Sequence, residues 1–204
     1  MKYTVLFLGF LLLSFTPKSE WITPAEEPWK LAKNKDGVLV YTRQPEGKKI
    51  KEFKAIVKIK TNMQKIIDLI EDVEKYPEWQ SDITSSKTLK KISTTERYIY
   101  YALDVPWPIT DRDVVTHVKK TSYTSGQVIF KLTSKPDYIK EKEGFIRIKD
   151  AQGSWKLTPK ENGYIEVIYQ SYGDPAGSIP SGIINSFIVD GPFKTMSNMR
   201  TKCQ

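Results

Sequence analysis

Residues 173–204 read GDPAGSIPSGIINSFIVDGPFKTMSNMRTKCQ and predict one long amphipathic helix after a turn rich in glycine and proline. Pro180 suits the first helical position, where the missing N–H group is not needed. Apolar residues then recur with a period of about 3.6, which places them on one face; they are Ile179, Ile183, Ile184, Phe187, Ile188, Phe193, Met196 and Met199. A helix with one apolar face has to bury it against another layer, which the preceding chain must supply.

The preceding chain supplies that layer as strands. In residues 50–60, Phe53, Ala55, Val57 and Ile59 alternate with polar residues, which predicts a half-buried antiparallel strand. Further strands are predicted at residues 38–43, 82–92, 96–105, 113–123, 128–134, 145–158 and 164–172. Hairpin turns are expected at residues 125–126 and 162–163, where Ser-Gly and Asn-Gly pairs occur.

Two shorter helices are predicted before most of these strands. One covers residues 62–76, with Thr61 or Asn62 as its N-cap and Pro77 ending it. The other is a short helix that starts near Pro28 and ends at the Asp-Gly pair of residues 36–37. The order of elements predicts an α+β domain in which a curved antiparallel sheet wraps around the C-terminal helix.

The N-terminus has the pattern of a targeting segment. Lys2 precedes an uncharged apolar run at residues 3–15, which is shorter than the roughly 18 residues of a membrane-spanning helix. We expect residues 1–19 to be a signal peptide or an N-terminal anchor, and residues 20–204 to form a single domain; a buried first helix is the alternative. The protein is then exported, and periplasmic or membrane-associated if bacterial.

Composition excludes several classes of protein. Cys203 is the only cysteine, so an intramolecular disulfide and a cysteine-based metal site are excluded. The net charge is +8, but the lysines alternate with apolar residues along strands, which favours a solvated surface over a dedicated nucleic-acid or lipid patch. We expect no nucleic-acid partner.

Residues able to perform catalysis are scarce. His117 is the only histidine, and neither a G-x-S-x-G nor a G-x-G-x-x-G element occurs. Asp111, Arg112 and Asp113 form one compact charged group; they either make a salt-bridged strand start or orient a ligand headgroup at the end of a cavity. The many strand tyrosines fit either a packed core or the lining of an internal space.

Four stretches resemble the StAR-related lipid transfer (START) domain family. They are Trp29 with DGVLVYTR at residues 36–43, PWPITDRD at 106–113, GSWKLTP at 153–159, and DPAGSIP at 174–180 followed by Ile183, Asn185, Met199 and Arg200. The resemblance implies a helix-grip fold with a hydrophobic tunnel, and a START-like lipid-binding domain over residues 20–204. It implies binding of a lipid or other apolar molecule under a C-terminal lid, with intermembrane transfer as a further expectation, and transient membrane contact.

We therefore expect a monomeric binding protein with no catalytic residue, metal or cofactor. The expected ligand contacts are Phe53, Tyr101, Leu103, Arg112, Val114, Thr116, Phe130, Trp155, Val167, Tyr169, Ile183, Ile184, Phe187, Ile188 and Met196. The alternative is a cyclase-like helix-grip enzyme that uses the cavity as a reaction chamber. Its acid–base candidates are Asp104, Arg112, Asp113 and His117.

Gly191 and Pro192 predict a kink in the C-terminal helix, which is either a gating point or a static bend.

Overall fold

A computed structural model describes residues 28–48, 50–177, 179, 183–184 and 186–204. The predicted targeting segment at residues 1–19 and the predicted helix start at Pro180 lie outside these residues. The strands of the described chain are β1 (Lys30–Lys35), β2 (Val38–Arg43), β3 (Glu52–Lys60), β4 (Ile83–Lys91), β5 (Glu96–Leu103), β6 (Asp111–Ser122), β7 (Val128–Ser134), β8 (Phe145–Arg147), β9 (Ala151–Pro159) and β10 (Tyr164–Gly173).

These strands form one curved sheet in the order β1-β2-β3-β10-β9-β7-β6-β5-β4. All neighbours in this order are antiparallel, and β8 lies off it, parallel to the start of β6. The last strand, β10, lies in the middle, with Val167 opposite Val57 on one side and Leu157 on the other. The predicted alternation of β3 is confirmed, since Ala55, Val57 and Ile59 are buried.

The predicted hairpin turns also form. Asn162 and Gly163 have φ angles of 58° and 73° between β9 and β10. Gly126 has a φ angle of 79° in the turn between β6 and β7. Such angles favour glycine and asparagine, so the local sequence fixes these two connections.

The first helix, α1 (Met63–Glu71), begins after Asn62, whose side-chain oxygen accepts a hydrogen bond of 2.7 Å from the Gln64 N–H group. Its apolar stripe is buried at Ile66, Ile67 and Ile70. The prediction that this helix continues to residue 76 is wrong: α1 ends at Glu71, and a 3-10 helix, Val73–Glu78, runs through Pro77. Asp72 ends α1 because its ψ angle of 76° lies outside the helical region, so Pro77 falls inside the next element and does not set the end of α1.

The C-terminal helix, α2 (Gly191–Cys203), follows a π-helical turn, Ser186–Asp190. Pro192 lies in the first turn of α2 rather than in a helix interior. A proline ring clashes with the carbonyl one α-helical turn earlier, and the wider π turn accommodates it. Met196, Met199 and Cys203 are buried in the core. Within the described residues, no helix combines the length and the apolar character needed to cross a membrane.

Residues 30–35 form a strand, so the predicted short helix before residue 36 is wrong. β1 pairs with β2 across Asp36 and Gly37, whose φ angles are 50° and 72°. Two consecutive positive φ angles are typical of a type I′ hairpin turn, for which Asp-Gly is a favoured pair. The side chains of β1 are mostly exposed, so pairing with β2 and not burial of a face stabilises this strand.

Residues 145–158 form two strands, so the prediction of a single strand there is wrong. β7 ends at Ser134, opposite Thr116, which leaves the first residues of β6 without a neighbour on that side. β8 fills this edge, with Phe145 opposite Asp111 and Arg147 opposite Asp113. β9 then pairs with β7 and β10. The strand has to end between β8 and β9 because β8 pairs with β6, whereas β9 pairs with β7 and β10.

Candidate functional site

A cavity of about 200 Å³ lies between the sheet and the described residues 179, 183–184 and 186–190, which we call the C-terminal segment. The sheet contributes side chains from its central strands, and the C-terminal segment contributes apolar side chains from the other side. Ten of the predicted contacts line this cavity: Phe53, Tyr101, Leu103, Arg112, Val114, Trp155, Tyr169, Ile184, Phe187 and Ile188. The lining is mostly apolar and aromatic, which is typical of small-molecule sites.

The other predicted contacts do not line the cavity; they are Thr116, Phe130, Val167, Ile183 and Met196. Phe130, Val167 and Met196 are at most 2% exposed and pack with Trp79 and Trp155 in the core. At that end the space between sheet and helix is filled by side chains. Sequence periodicity identifies which face of an element is buried. It does not show which part of that face packs into the core and which part lines a cavity.

Several lining residues were missed by sequence reasoning. Ile99 and Val105 share the face of Tyr101 and Leu103 on β5 and its extension, so the alternation could have found them. Residues 80–82, which follow the 3-10 helix, also line the cavity. No periodic signal points to them, because they lie between elements.

Three aromatic rings form one wall of the cavity. Trp155 and Tyr169 stack in parallel with ring centroids 3.8 Å apart, and Phe53 meets Tyr169 edge-on at 5.0 Å. Burial raises the pKa of the Tyr101 and Tyr169 hydroxyls, so both stay protonated at neutral pH. These tyrosines offer an apolar surface with neutral hydrogen-bonding groups and no base.

The charged group of residues 111–113 divides between the two faces of β6, because successive strand residues point to opposite sides. Arg112 lines the cavity and is 2% exposed. Its Nε and Nη2 donate to the carbonyl oxygens of Pro175 and Ala176 at 3.1 and 3.0 Å, and its Nη1 donates to Thr110 O. Burial lowers the pKa of the Arg112 guanidinium.

Asp113 points away from the cavity. Its carboxylate accepts two hydrogen bonds from Arg147, from Nε at 2.7 Å and from Nη2 at 2.9 Å, and both side chains are buried. Asp113 therefore makes the salt bridge expected of a strand start. Arg112 lines the cavity, and its contact with a ligand headgroup stays a prediction.

The candidates for acid–base chemistry do not gather in one place. Asp104 is exposed, and His117 makes a 2.6 Å contact with Glu96 and packs against the Tyr98 ring. Neither lines the cavity. Within the described ranges, no group of three or more His, Cys, Asp or Glu side chains is placed to hold a metal ion.

A curved antiparallel sheet that grips a C-terminal helix, with an apolar cavity beneath it, defines a helix-grip protein. The START domain family matches residues 18–204, so the chain belongs to the START domain family. The resemblance of the four sequence stretches is thereby confirmed.

Three similar proteins illustrate the range of relatives. An uncharacterized protein of Pseudomonas aeruginosa is 41% identical over 178 residues, which cover 87% of this chain and 88% of that protein. A crystal structure of a STAR-related lipid transfer protein from Xanthomonas axonopodis is 33% identical, with a TM-score of 0.79 over 86% of this chain and 98% of that chain. The phosphatidylcholine transfer protein of Rattus norvegicus is 21% identical over 182 residues, 86% of this chain and 84% of its own.

Proposed function

We propose that this START domain binds a lipid or another apolar molecule in its cavity and exchanges it with membranes. The observation that carries the proposal is the cavity of about 200 Å³ between the sheet and the C-terminal segment, with its apolar and aromatic lining. The names of two similar proteins, a STAR-related lipid transfer protein and a phosphatidylcholine transfer protein, support it. Each buried CH₂ group of an acyl chain stabilises the complex by about 0.8 kcal/mol.

Binding is proposed rather than catalysis. Of the four acid–base candidates only Arg112 lines the cavity, and a guanidinium is a poor proton donor or acceptor at neutral pH. Tyr101 and Tyr169, which also line it, have a pKa raised by burial. A cyclase-like reaction chamber would need an acid and a base facing the same ligand.

Exchange requires an opening, and we place it in the C-terminal segment. Ile184, Phe187 and Ile188 cover the cavity but are only half-buried. The π-helical turn lies against β2 and β3, and its ion pair of 2.6 Å to the sheet joins Lys33 and Asp190, two partly exposed side chains. Such a pair stabilises weakly, so this turn can move while α2 stays packed.

Native mass spectrometry of the protein purified from its own cells tests the proposal. We expect a copurified apolar molecule, and uptake of a fluorescent lipid after its removal. Val114→Phe puts a larger side chain into the cavity and should abolish uptake. Val115→Phe is the matched control, because Val115 is buried in a separate cluster on the other face of β6. If the wild-type protein neither copurifies with an apolar molecule nor takes up the fluorescent lipid, lipid binding is refuted.

Export and a monomeric state are proposed as well. Lys2 and the apolar run at residues 3–15 support export, which mass analysis of the mature N-terminus and cell fractionation test.

The edge strands β1 and β4 support the monomeric state, because both carry several lysines: Lys30, Lys33 and Lys35 on β1, and Lys87, Lys90 and Lys91 on β4. Charged edges oppose pairing between sheets. Light scattering of the purified protein measures the mass in solution.

A further inference from the structure

Arg112 is a buried cation without a carboxylate partner. Its residue is 2% exposed, and among the described residues no carboxylate oxygen lies within 4.0 Å of its guanidinium nitrogens. The nearby Asp111 acts on it only at longer range. A buried charge that lacks a counterion is costly, so the cavity gains from an anion at this position.

The neighbouring Arg147 shows how this fold neutralises a buried arginine. Arg147 is also 2% exposed, and it makes two hydrogen bonds to the carboxylate of Asp113. Arg112 and Asp113 are adjacent in β6, yet they point to opposite faces of the sheet. Of the two carboxylates adjacent in sequence, Asp113 pairs with Arg147 on the outer face, and Asp111 accepts a hydrogen bond from the Val105 N–H group.

The guanidinium of Arg112 has hydrogen-bonding capacity to spare. It has five N–H groups, and its three hydrogen bonds go to the carbonyls of Thr110, Pro175 and Ala176. Nη1 and Nη2 each keep one N–H group that no described residue accepts. Paired N–H groups of this kind bind carboxylate and phosphate oxygens with two parallel hydrogen bonds.

The cavity is polarised along its length. Arg112 lies beside Pro175 at one end, and from there β6 continues to Val114 while β10 leads back to Tyr169. Trp155 stacks on Tyr169, so that end is aromatic and apolar. Apart from Arg112, the charged lining side chains are Lys51, which is exposed, and Asp82.

We propose that the ligand is a single-chain amphiphile with an anionic headgroup, a carboxylate or a phosphate monoester, which Arg112 binds while the acyl chain lies against Trp155 and Tyr169. This proposal rests on the proposed lipid-binding function. The cavity of about 200 Å³ is smaller than pockets that hold drug-sized ligands, which measure about 300–1,000 Å³, so it favours one acyl chain over two. The carbonyl groups of Pro175 and Ala176 then share Arg112 with the headgroup, which links ligand binding to the turn before the C-terminal segment.

Displacement of the neutral dye Nile red from the delipidated mature protein tests the proposal. The competing ligands have the same saturated chain: hexadecanoate, hexadecyl phosphate and the uncharged hexadecanol. We expect both anions to bind about ten- to a hundredfold more tightly than the alcohol, the range of charged hydrogen bonds. The ratio of the two anions distinguishes a carboxylate from a phosphate ligand.

Three variants test whether Arg112 causes the preference for anions over the alcohol. Arg112→Gln should lose the preference for anions, so that both anions bind the variant no more tightly than hexadecanol binds it. Arg112→Lys keeps the charge without the paired N–H groups and should keep a reduced preference. Lys51→Gln removes a cation from the exposed rim and should keep the full preference.

The outcomes separate the two proposals. If wild-type protein binds the alcohol and the anions equally, or if Arg112→Gln keeps the preference, the headgroup proposal is wrong and lipid binding stands. If none of the ligands displaces the dye, lipid binding itself fails. Should Arg112→Gln not fold, as its circular dichroism would reveal, the wild-type ratio and the Arg112→Lys variant decide.

Discussion

The ion pair between Asp113 and Arg147 is the most buried charged contact of the described residues. The two side chains are 1% and 0% exposed, and Arg147 also donates to the carbonyl oxygens of Pro136, Ile139 and Lys140. This arginine therefore holds β8 and the loop before it against the start of β6. Removing one partner of such a pair leaves the other as an uncompensated buried charge.

Asp113→Asn should lower the free energy of unfolding by about 3 kcal/mol, since it leaves Arg147 buried without its counterion. Urea unfolding followed by tryptophan fluorescence measures the change. Glu141→Gln is the control, because its 3.3 Å pair with Lys149 is exposed at both ends and should leave the unfolding midpoint unchanged. Equal midpoints for both variants would contradict this account of the pair.

At the scale of the elements, β10 leaves no room for a side chain at Gly153 on β9. A Cβ atom there would lie 2.8 Å from the backbone oxygen of Gln170 on β10. At Gly173, on β10, the nearest atom to an added Cβ would be Ala151 Cβ at 3.7 Å, an ordinary contact. The two glycines thus differ in the space that the neighbouring strand leaves them.

Gly153→Ala should lower the free energy of unfolding by about 1–3 kcal/mol, because the strands have to separate to admit the methyl group. Gly173→Ala should change it by less than about 1 kcal/mol. Thermal unfolding of both variants gives the comparison. An equally stable Gly153→Ala protein would mean that β9 shifts without cost.

The C-terminal segment and α2 differ in how they are held. Ser81 N–H donates to Thr195 Oγ1 at 2.9 Å, Asn198 Nδ2 to Trp79 O at 3.0 Å, and Thr61 Oγ1 to Cys203 O at 2.6 Å. These contacts and the buried methionines fix α2. The π-helical turn before α2 carries the ion pair between Lys33 and Asp190, whose side chains are partly exposed.

Amide hydrogen exchange should therefore be faster in residues 186–190 than in residues 196–203, because local opening needs fewer buried contacts to break. Mass spectrometry of peptides from the two ranges measures the rates. Addition of hexadecanol should slow exchange in residues 186–190 and leave residues 196–203 unchanged. Equal rates in both ranges would place the opening elsewhere.

On the scale of the whole molecule, Trp107 is the most exposed large apolar side chain of the described residues, at 92%. It lies between Val105 and Arg112, which both line the cavity. An exposed aromatic ring in the loop that joins two lining residues is suited to the interface between a membrane and water. The net charge of +8 favours approach to an anionic bilayer.

Trp107→Ala should slow ligand transfer between vesicles about tenfold, the equivalent of losing the burial of one large aromatic side chain. Transfer of a fluorescent lipid between donor and acceptor vesicles measures the rate. Tyr123→Ala is the control: Tyr123 is 49% exposed but follows the other end of β6. Equal rates for both variants would exclude a special role of Trp107 at the membrane.

Much of the fold could be predicted because its signals are local. The alternation of Ala55, Val57 and Ile59, the cap at Asn62 and the turn at Asn162 and Gly163 each depend on a few adjacent residues. β1 could not be found this way, since its side chains are exposed and only β2 stabilises it. The Asp-Gly pair beside it suits a helix end and a hairpin equally well.

For the cavity, the sequence by itself determined which faces are apolar and that aromatic residues lie on them. Only the tertiary structure decided that Phe130, Val167 and Met196 fill one end as core, while Tyr169 lines open space at the other. It also decided that Asp113 pairs with Arg147 and that Arg112 lines the cavity. The reason is physical: periodicity is a property of neighbouring residues, whereas packing and charge pairing depend on which distant strands the register brings together.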